Sequence, residues 1–500
     1  MSSEFINIDE NESNIDQDII YFTKTKPHSF SFKRKLLFLI SLCFLFVLSV
    51  IFLLASKKGN KFMRNLKLAS FNELSEQEIE SNKKNIIDLK FKTKEPNKLV
   101  KLFDNSNNIM QYISKMKLDA INLENVTDTF TFGLPGKYYL RLYFNTSLTS
   151  LKNLFSGCKE LVKADFSQLV SSQITDLSYL FKDCNKLKYA YFDNFFTSKV
   201  ENMEGMFDGC RNLLKLNLTH FDTSKVKYMN GMFSGCRELI GLDLDNFQTS
   251  NVLRMDRMFQ GCKFLISVNI TKFDTSNVQN MTEMFSNCEH LPILNISHFR
   301  THNVRSMEFM FSNCKKLLEL NLNSWDTSMV STFSNMFYQC MKIIKLDLGN
   351  FKTENAIYMD NMFTKCVNVT EIYVTKFNTK NVITMENMFN GCLSLKSLDI
   401  SHFDTKNVNN LSGMFCSTFA LRELNISNFN TSKVDSMDYM FNQNLMLKSL
   451  DIRNFDTSKV LSYKSFFNDL PYNGKIYLKF DKVSNGILKQ LPRNWEIIEP

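Results

Sequence analysis

The chain has 500 residues and is poor in the residues that interrupt regular structure, with 15 Gly and 7 Pro. So few of either exclude a long flexible low-complexity region. Histidine is scarce at 6, and no C-x-x-C pair occurs among the 12 cysteines, so nothing in the spacing resembles a zinc site. H-E-x-x-H, G-x-S-x-G, P-loop and Rossmann fingerprints are missing as well, so neither an enzyme nor a bound cofactor is expected. Charge of one sign is also lacking where it would matter. The formal net charge is +9, but residues 151–470 hold 34 Lys+Arg against 32 Asp+Glu, a balance that excludes a nucleic-acid-binding array.

What the chain does have is a ruler. Ten cysteines, from Cys158 and Cys184 to Cys366 and Cys392, recur at an unbroken spacing of 26 residues. Phe155, Phe181 and Phe207 begin a column that reaches Phe467, and Thr197 begins one that reaches Thr457. A period in this range belongs to stacked coils of the leucine-rich type. One unit shows why. Leu216 and Leu218 alternate with Lys215, Asn217 and Thr219, the pattern of a short strand with one buried face. From Val226 the apolar positions fall at Met229, Met232, Phe233 and Cys236, a spacing that predicts one face of a helix. Asp222, Thr223 and Ser224 stand at the junction, where one of them is expected to cap that helix. The predicted fold class is therefore α/β: a leucine-rich-repeat solenoid of strand-plus-helix coils, roughly twelve in number. Its sheet ridge is on the order of 55 Å long, on the concave side because helices are thicker than strands.

Free cysteine packs as a small apolar group, so the cysteine column reads first as a packing ladder. Disulfides between adjacent coils are the alternative, open in an oxidising compartment.

Outside the repeats, Leu36 to Ala55 is free of charge and long enough to span a bilayer, between Lys33-Arg34-Lys35 and Lys57-Lys58. An uncleaved signal anchor is the expectation, with a cleaved signal peptide as the rival. Basic residues on the two sides nearly tie, while ten N-x-[ST] sequons downstream of the span, among them Asn125, Asn217 and Asn430, favour repeats outside the cell as a glycoprotein. The expected organisation is a tail at 1–35, a transmembrane helix at 36–55, a juxtamembrane stalk at 56–95, an N-terminal cap at 96–150, the solenoid at 151–470 and a C-terminal cap at 471–500. Within the N-terminal cap, Thr129–Phe132 and Tyr138–Phe144 around Gly133-Leu-Pro-Gly136 predict a hairpin.

Strand positions between buried leucines define one outward column: Asn217, Asp243, Asn269, Asn295, Asn321, Asp347, Tyr373, Asp399, Asn425 and Asp451. With Glu371 two positions before Tyr373, this is the candidate binding strip. Tyr373 is its expected hot spot. A repeated polar strip at strand spacing suits an extended partner, although exposed strand positions are polar in any case. His220, His298 and His402 share a second column but stand too many coils apart to ligate one metal.

The unit F-[DN]-T-S-x-V-x-x-M-x-x-M-F-x-x-C-x-x-L-x-x-L-x-[LI], as in Phe221 to Leu244, resembles the repeat of the BspA-like leucine-rich-repeat surface proteins. The likeness covers about residues 151–480. Departures are local: Trp325 for the junction phenylalanine, Phe333 and Leu411 for a methionine, Thr418 and Asn444 where the cysteine column would continue. The resemblance implies a cell-surface, membrane-attached protein binding a protein or extracellular-matrix ligand, with no shared catalysis. The expected function is thus recognition or adhesion at the plasma membrane. A structural coat is the alternative, or an intracellular scaffold if the topology is reversed.

Overall fold

The structure, a computed structural model, describes residues 76–499. The predicted membrane span at 36–55, its flanking tail and the first part of the stalk lie outside the described residues. Among the described residues no helix is long and apolar enough to cross a membrane.

The repeats form a β-solenoid, and the strand-plus-helix expectation is overturned. Among the described residues the α-helices are α1 (Glu76–Ser81) and α2 (Asn485–Leu488), both outside the repeats, with a 3-10 turn at Ile109–Tyr112. The segment predicted to be helical takes a different backbone path. Met203, Gly205, Phe207 and Gly209 donate their N–H groups to Tyr228, Asn230, Met232 and Ser234 of the following coil at 2.8–2.9 Å. Between them Met206, Asp208 and Cys210 donate three residues back within the coil. A helix would send every donor four residues back. Two columns of left-handed residues break it: one holds Gly205, Gly231 and Asn335, the other Gly209, Gly235, Asn287 and Lys365.

Two parallel ladders therefore link the coils, one continuous and the other in separate sets of paired strands. One passes through Asn202, Tyr228, Arg254 and Asn280 to Ser462 as single bridges. The other is the expected strand ladder. Because the predicted segment is laddered rather than helical, no helix thickness wedges the coils apart, and the ground for calling the strand side concave is removed.

The core is ordered into files. Phe rings from Phe155 to Phe467 stack coil on coil at 5.4–6.0 Å between centroids. In a second file Trp325 stands between Phe299 and Phe351 at 6.4 and 6.5 Å, keeping the stack intact where tryptophan replaces phenylalanine. Stacked pairs of this kind contribute about 0.5–1.5 kcal/mol each beyond burial. All ten column cysteines are free and buried. From Cys184 to Cys392 each thiol donates to the carbonyl of a phenylalanine one coil back, at 2.9–3.3 Å. The column is a packing ladder.

The junction threonines cap no helix. Thr275 Oγ1 donates to the Arg300 carbonyl at 2.9 Å and accepts the Arg300 N–H at 2.8 Å, so one hydroxyl carries both backbone bonds across to the next coil. Thr197, Thr223 and Thr353 do the same. Asp222 and Asp274 close their own turns by accepting from Ser224 and Ser276.

At the N-terminal end, β1 (Ile86–Thr93), β2 (Lys98–Lys101), β3 (Ile113–Leu118), β4 (Ile121–Asn122), β5 (Thr129–Phe132) and β6 (Gly136–Phe144) precede the coil strands β7 (Leu161–Asp165) and β8 (Tyr189–Tyr191). They make a sheet of order β4-β3-β6-β1-β7-β8, with β5 pairing β2 instead. Both strands of the predicted hairpin exist, but they pair with other partners. Their contact is side chain to side chain, Phe132 on Tyr138 at 4.0 Å.

In the repeats, β9 (Gly241–Asp243) pairs β10 (Ser267–Asn269), and β11 (Lys345–Asp347) pairs β12 (Glu371–Tyr373). At the far end β13 (Glu423–Asn425), β14 (Ser449–Asp451), β15 (Gly474–Tyr477) and β16 (Trp495–Ile498) run parallel in that order. Trp495 covers the last coil and donates Nε1 to the Pro471 carbonyl at 2.8 Å. A Cβ on Gly474 would stand 2.5 Å from that indole, so only glycine fits there.

Candidate functional site on the strand face

The outward column lies on the surface as expected: Asn217, Asp243, Asn295, Asn321, Asp347, Tyr373, Asp399 and Asn425 are exposed, and Asn269 and Asp451 are half-buried. One side-chain oxygen of each Asn or Asp in it is already engaged. Asn217 accepts from the Thr219 N–H and hydroxyl, Asp347 from the Gly349 N–H, Asp399 from the Ser401 N–H and hydroxyl, and Asn425 likewise from Ser427. Asn321 and Asp243 accept from the N–H two residues on, and Asn295 from the Ser297 hydroxyl. Arg453 returns to Asp451 through both its N–H and its guanidinium. The column is Asn or Asp because each coil needs a side-chain acceptor to turn the chain after its strand. At Asp399 the bonds from Ser401 hold the carboxyl below its ordinary range.

Asn269 and Asp243 add one link between coils, Nδ2 to Oδ1 at 2.9 Å. Tyr373 is the exception to the turn role. Its hydroxyl donates to Glu371 Oε2 at 2.7 Å, and Lys345 Nζ sits 4.6 Å from its ring centre and 3.5 Å from Glu371. The Tyr373 hydroxyl draws the Glu371 carboxyl down, and Glu371 in turn raises the phenol. These two residues share a hollow of about 170 Å³ with Ser397 and Asp399. The strip thus brings Tyr373, Glu371 and Asp399 together and distributes its other members along the array.

The histidine column is structural. His220, His298 and His402 each bond through Nε2 to a backbone carbonyl of the preceding coil, at 2.7, 3.1 and 3.0 Å. Among the described residues no group of three or more His, Cys, Asp or Glu could hold a metal ion.

Sequence reasoning missed a second column three residues upstream of the strip. Ile240, Ile266, Leu318 and Ile344 are 54, 53, 51 and 60 % exposed, and Ile293 beside them is 62 % exposed. The Ile266 N–H donates to the Ile240 carbonyl at 2.8 Å, and the Leu318 N–H donates at 3.0 Å to the carbonyl of half-buried Pro292, which holds the position between Ile266 and Leu318. Farther along, the same position becomes half-buried Thr370 and then exposed Lys396, Arg422 and Lys448. The signal was present in the doubled apolar pairs Leu239-Ile240, Leu265-Ile266, Leu317-Leu318 and Ile343-Ile344, where one residue of each pair has no place in the core.

No curated protein sequence matches the chain. Among solved structures it is similar to a leucine-rich repeat protein from Bacteroides ovatus ATCC 8483, at 15 % identity over 72 % of this chain and 88 % of that one, with a TM-score of 0.42. A TLR13–ssRNA13 complex matches at 13 % identity over 61 % of each chain, with a TM-score of 0.14. Residues 149–266, 254–371, 338–424 and 397–482 match a family described as Mycoplasma protein of unknown function, DUF285. These matches run through nearly every coil, and the chain therefore belongs to the DUF285 family, with 26-residue repeats of the BspA-like leucine-rich type.

Proposed function

We propose that the chain is a recognition protein whose strand face docks a protein or matrix partner, and that it acts by non-covalent binding. One observation carries this reading: exposed aliphatic side chains recur at one position of successive coils, at Ile240, Ile266, Leu318 and Ile344 with Pro292 between, beside a polar strip. Scattered exposed apolar residues need no explanation, but a contiguous apolar column is uncommon on a surface that meets only water. Tyr373 and Glu371 lie at the point where the aliphatic column gives way to basic residues, and supply an aromatic anchor at its border.

Display at the plasma membrane with the repeats outside is part of the proposal, supported by the sequons and the uncharged run at 36–55 in the sequence. A glycosidase mobility shift on the full chain in a glycosylating host, with protease protection, tests that placement. Adhesion is tested by retention of cells displaying the chain on a matrix-coated surface. Ile266→Lys with Ile344→Lys, and separately Tyr373→Ala, should each lower retention. Unchanged retention in both would replace recognition with the coat reading.

A further inference from the structure

We propose a second binding site, on the sheet that joins the N-terminal cap to the first coils, for an extended anionic polysaccharide. The outer face of this sheet carries two rows of side chains that run across the strands. Pairing puts Tyr139 beside Lys90, Lys90 beside Lys163, Lys163 beside Tyr189 and Tyr189 beside Lys215. This first row contains two aromatic and three cationic residues and no carboxylate. In the second row Lys117, Arg141, Asp88, Asp165 and Tyr191 follow in the same way. The rows border a hollow of about 510 Å³ lined by Tyr139, Lys90 and Lys163 of the first row, and Tyr189 and Tyr191 are exposed farther along the rows.

The carboxylates are already served. Arg141 donates to both oxygens of Asp88 at 2.6 and 2.8 Å, and Asp165 accepts the Ser167 N–H with Lys163 at 3.4 Å. Asp119 at the rim accepts the Tyr139 N–H at 2.9 Å. Lys90, Lys117 and Lys215 form no ion pair among the described residues. Lys90 and Lys163 stand directly opposite each other on neighbouring strands, an unfavourable arrangement of like charges that an anion over it would relieve. Five cations against two carboxylates in the rows leave the face basic.

Spacing selects the kind of anion. Both rows advance by one strand separation, about 4.8 Å, per side chain. An extended peptide advances about 3.3–3.4 Å per residue and would fall out of step with the row. An extended pyranose chain advances by close to one strand separation per sugar, so its acidic groups can meet successive lysines. Tyrosine suits the same ligand, offering an apolar ring face to the sugar and a hydroxyl to its oxygens.

The test uses the full chain and calorimetric titration with a heparin-derived octasaccharide, a neutral dextran octasaccharide and an octaglutamate peptide. The sulfated sugar should bind, more weakly as salt rises, and the other two should bind about tenfold more weakly or not at all. Lys90→Gln with Lys163→Gln should lower affinity about tenfold. Tyr139→Ala with Tyr189→Ala should lower it several-fold while leaving the salt dependence in place. Lys316→Gln with Lys342→Gln, on exposed lysines elsewhere in the array, should leave it unchanged. Equal binding of octaglutamate, or equal effects of the two lysine pairs, would overturn the site and reduce the interaction to general charge. Ile266→Lys with Ile344→Lys should not alter sugar binding, which separates this site from the strand face.

Discussion

Asn444 Oδ1 accepts both the Thr418 hydroxyl at 2.9 Å and the Thr418 N–H at 3.1 Å, in the two coils where the cysteine column gives out. The Phe415 carbonyl, 3.0 Å from Thr418 Oγ1, competes for the same hydroxyl proton and is the acceptor that a cysteine at 444 would use. The substitution leaves a residue of cost, because Asn444 Nδ2 is buried without a partner. Thr418→Cys with Asn444→Cys should therefore stabilise the C-terminal coils by about 1–3 kcal/mol, the range for relieving a stranded buried donor. Hydrogen exchange of the amides from 415 to 447 checks this, and unchanged protection would show that water or relaxation already satisfies Asn444.

The thiol column sets an alkaline limit on stability. Burial pushes Cys262, Cys314 and Cys366 up to about 12, from an ordinary value of 9.0. A thiol that stays protonated when folded and ionises when unfolded favours unfolding as pH rises. Its contribution is fully present below pH 9.0 and is lost progressively toward about 12. Each such thiol steepens the loss by about 1.4 kcal/mol per pH unit. Thermal unfolding from pH 7 to 11 should show a plateau and then a steep fall, and replacing Cys262, Cys314 and Cys366 with Ala should make the fall shallower.

Native alkylation separates column cysteines from the rest. The ten column thiols are buried, whereas Cys416 is half-exposed beside Ser417 and Asn442. Iodoacetamide at neutral pH followed by peptide mapping should mark Cys416 and leave Cys158 to Cys392 unmodified. Disulfide-linked peptides from adjacent coils would contradict the ladder.

Thr275→Val should be costly although the side chains are nearly isosteric. Both backbone groups of Arg300 lose the hydroxyl that serves them, and stranding them costs about 2–4 kcal/mol. Thr275→Ser keeps the hydroxyl and should cost about 1 kcal/mol for the lost methyl. Urea unfolding of the two variants distinguishes this from a simple packing role, which would rank them the other way.

The strip and its one aromatic should behave differently. Asn425→Ala removes the turn closure at Ser427 and should lower the stability of its coil by about 1 kcal/mol, with matrix retention unchanged. Tyr373→Ala should leave the melting temperature unchanged and lower retention. The opposite pattern would make the strip the contact surface and Tyr373 incidental.

Much of this molecule was legible in the chain. The 26-residue register fixes which residues fill the core: Phe155 to Phe467 stack in one file, and Cys158 to Cys392 line up behind them as small buried groups. The resemblance of the repeats and the outward column could also be read directly, because identical spacing forces identical positions to stack. The helix could not be ruled out that way. Met229, Met232, Phe233 and Cys236 show the same apolar spacing whether their N–H groups bond within the coil or to the next one.

That choice belongs to the neighbouring coil. Its carbonyls stand within bonding distance of Gly205 and Gly209, left-handed positions let the donors turn toward them, and the helix is lost. The same partnership makes Thr223, one of three candidate caps, a bridge between coils, and the turn that follows its strand makes Asn425 a latch. Tyr139, Lys90 and Tyr189 come together only because β1, within the segment expected to be stalk, inserts between β6 and β7 of the first coil. The sequence by itself determined which side chains are buried and in what order they repeat. Only the tertiary structure decided where the backbone donors go and which distant surface residues meet, since both depend on the chain that arrives alongside.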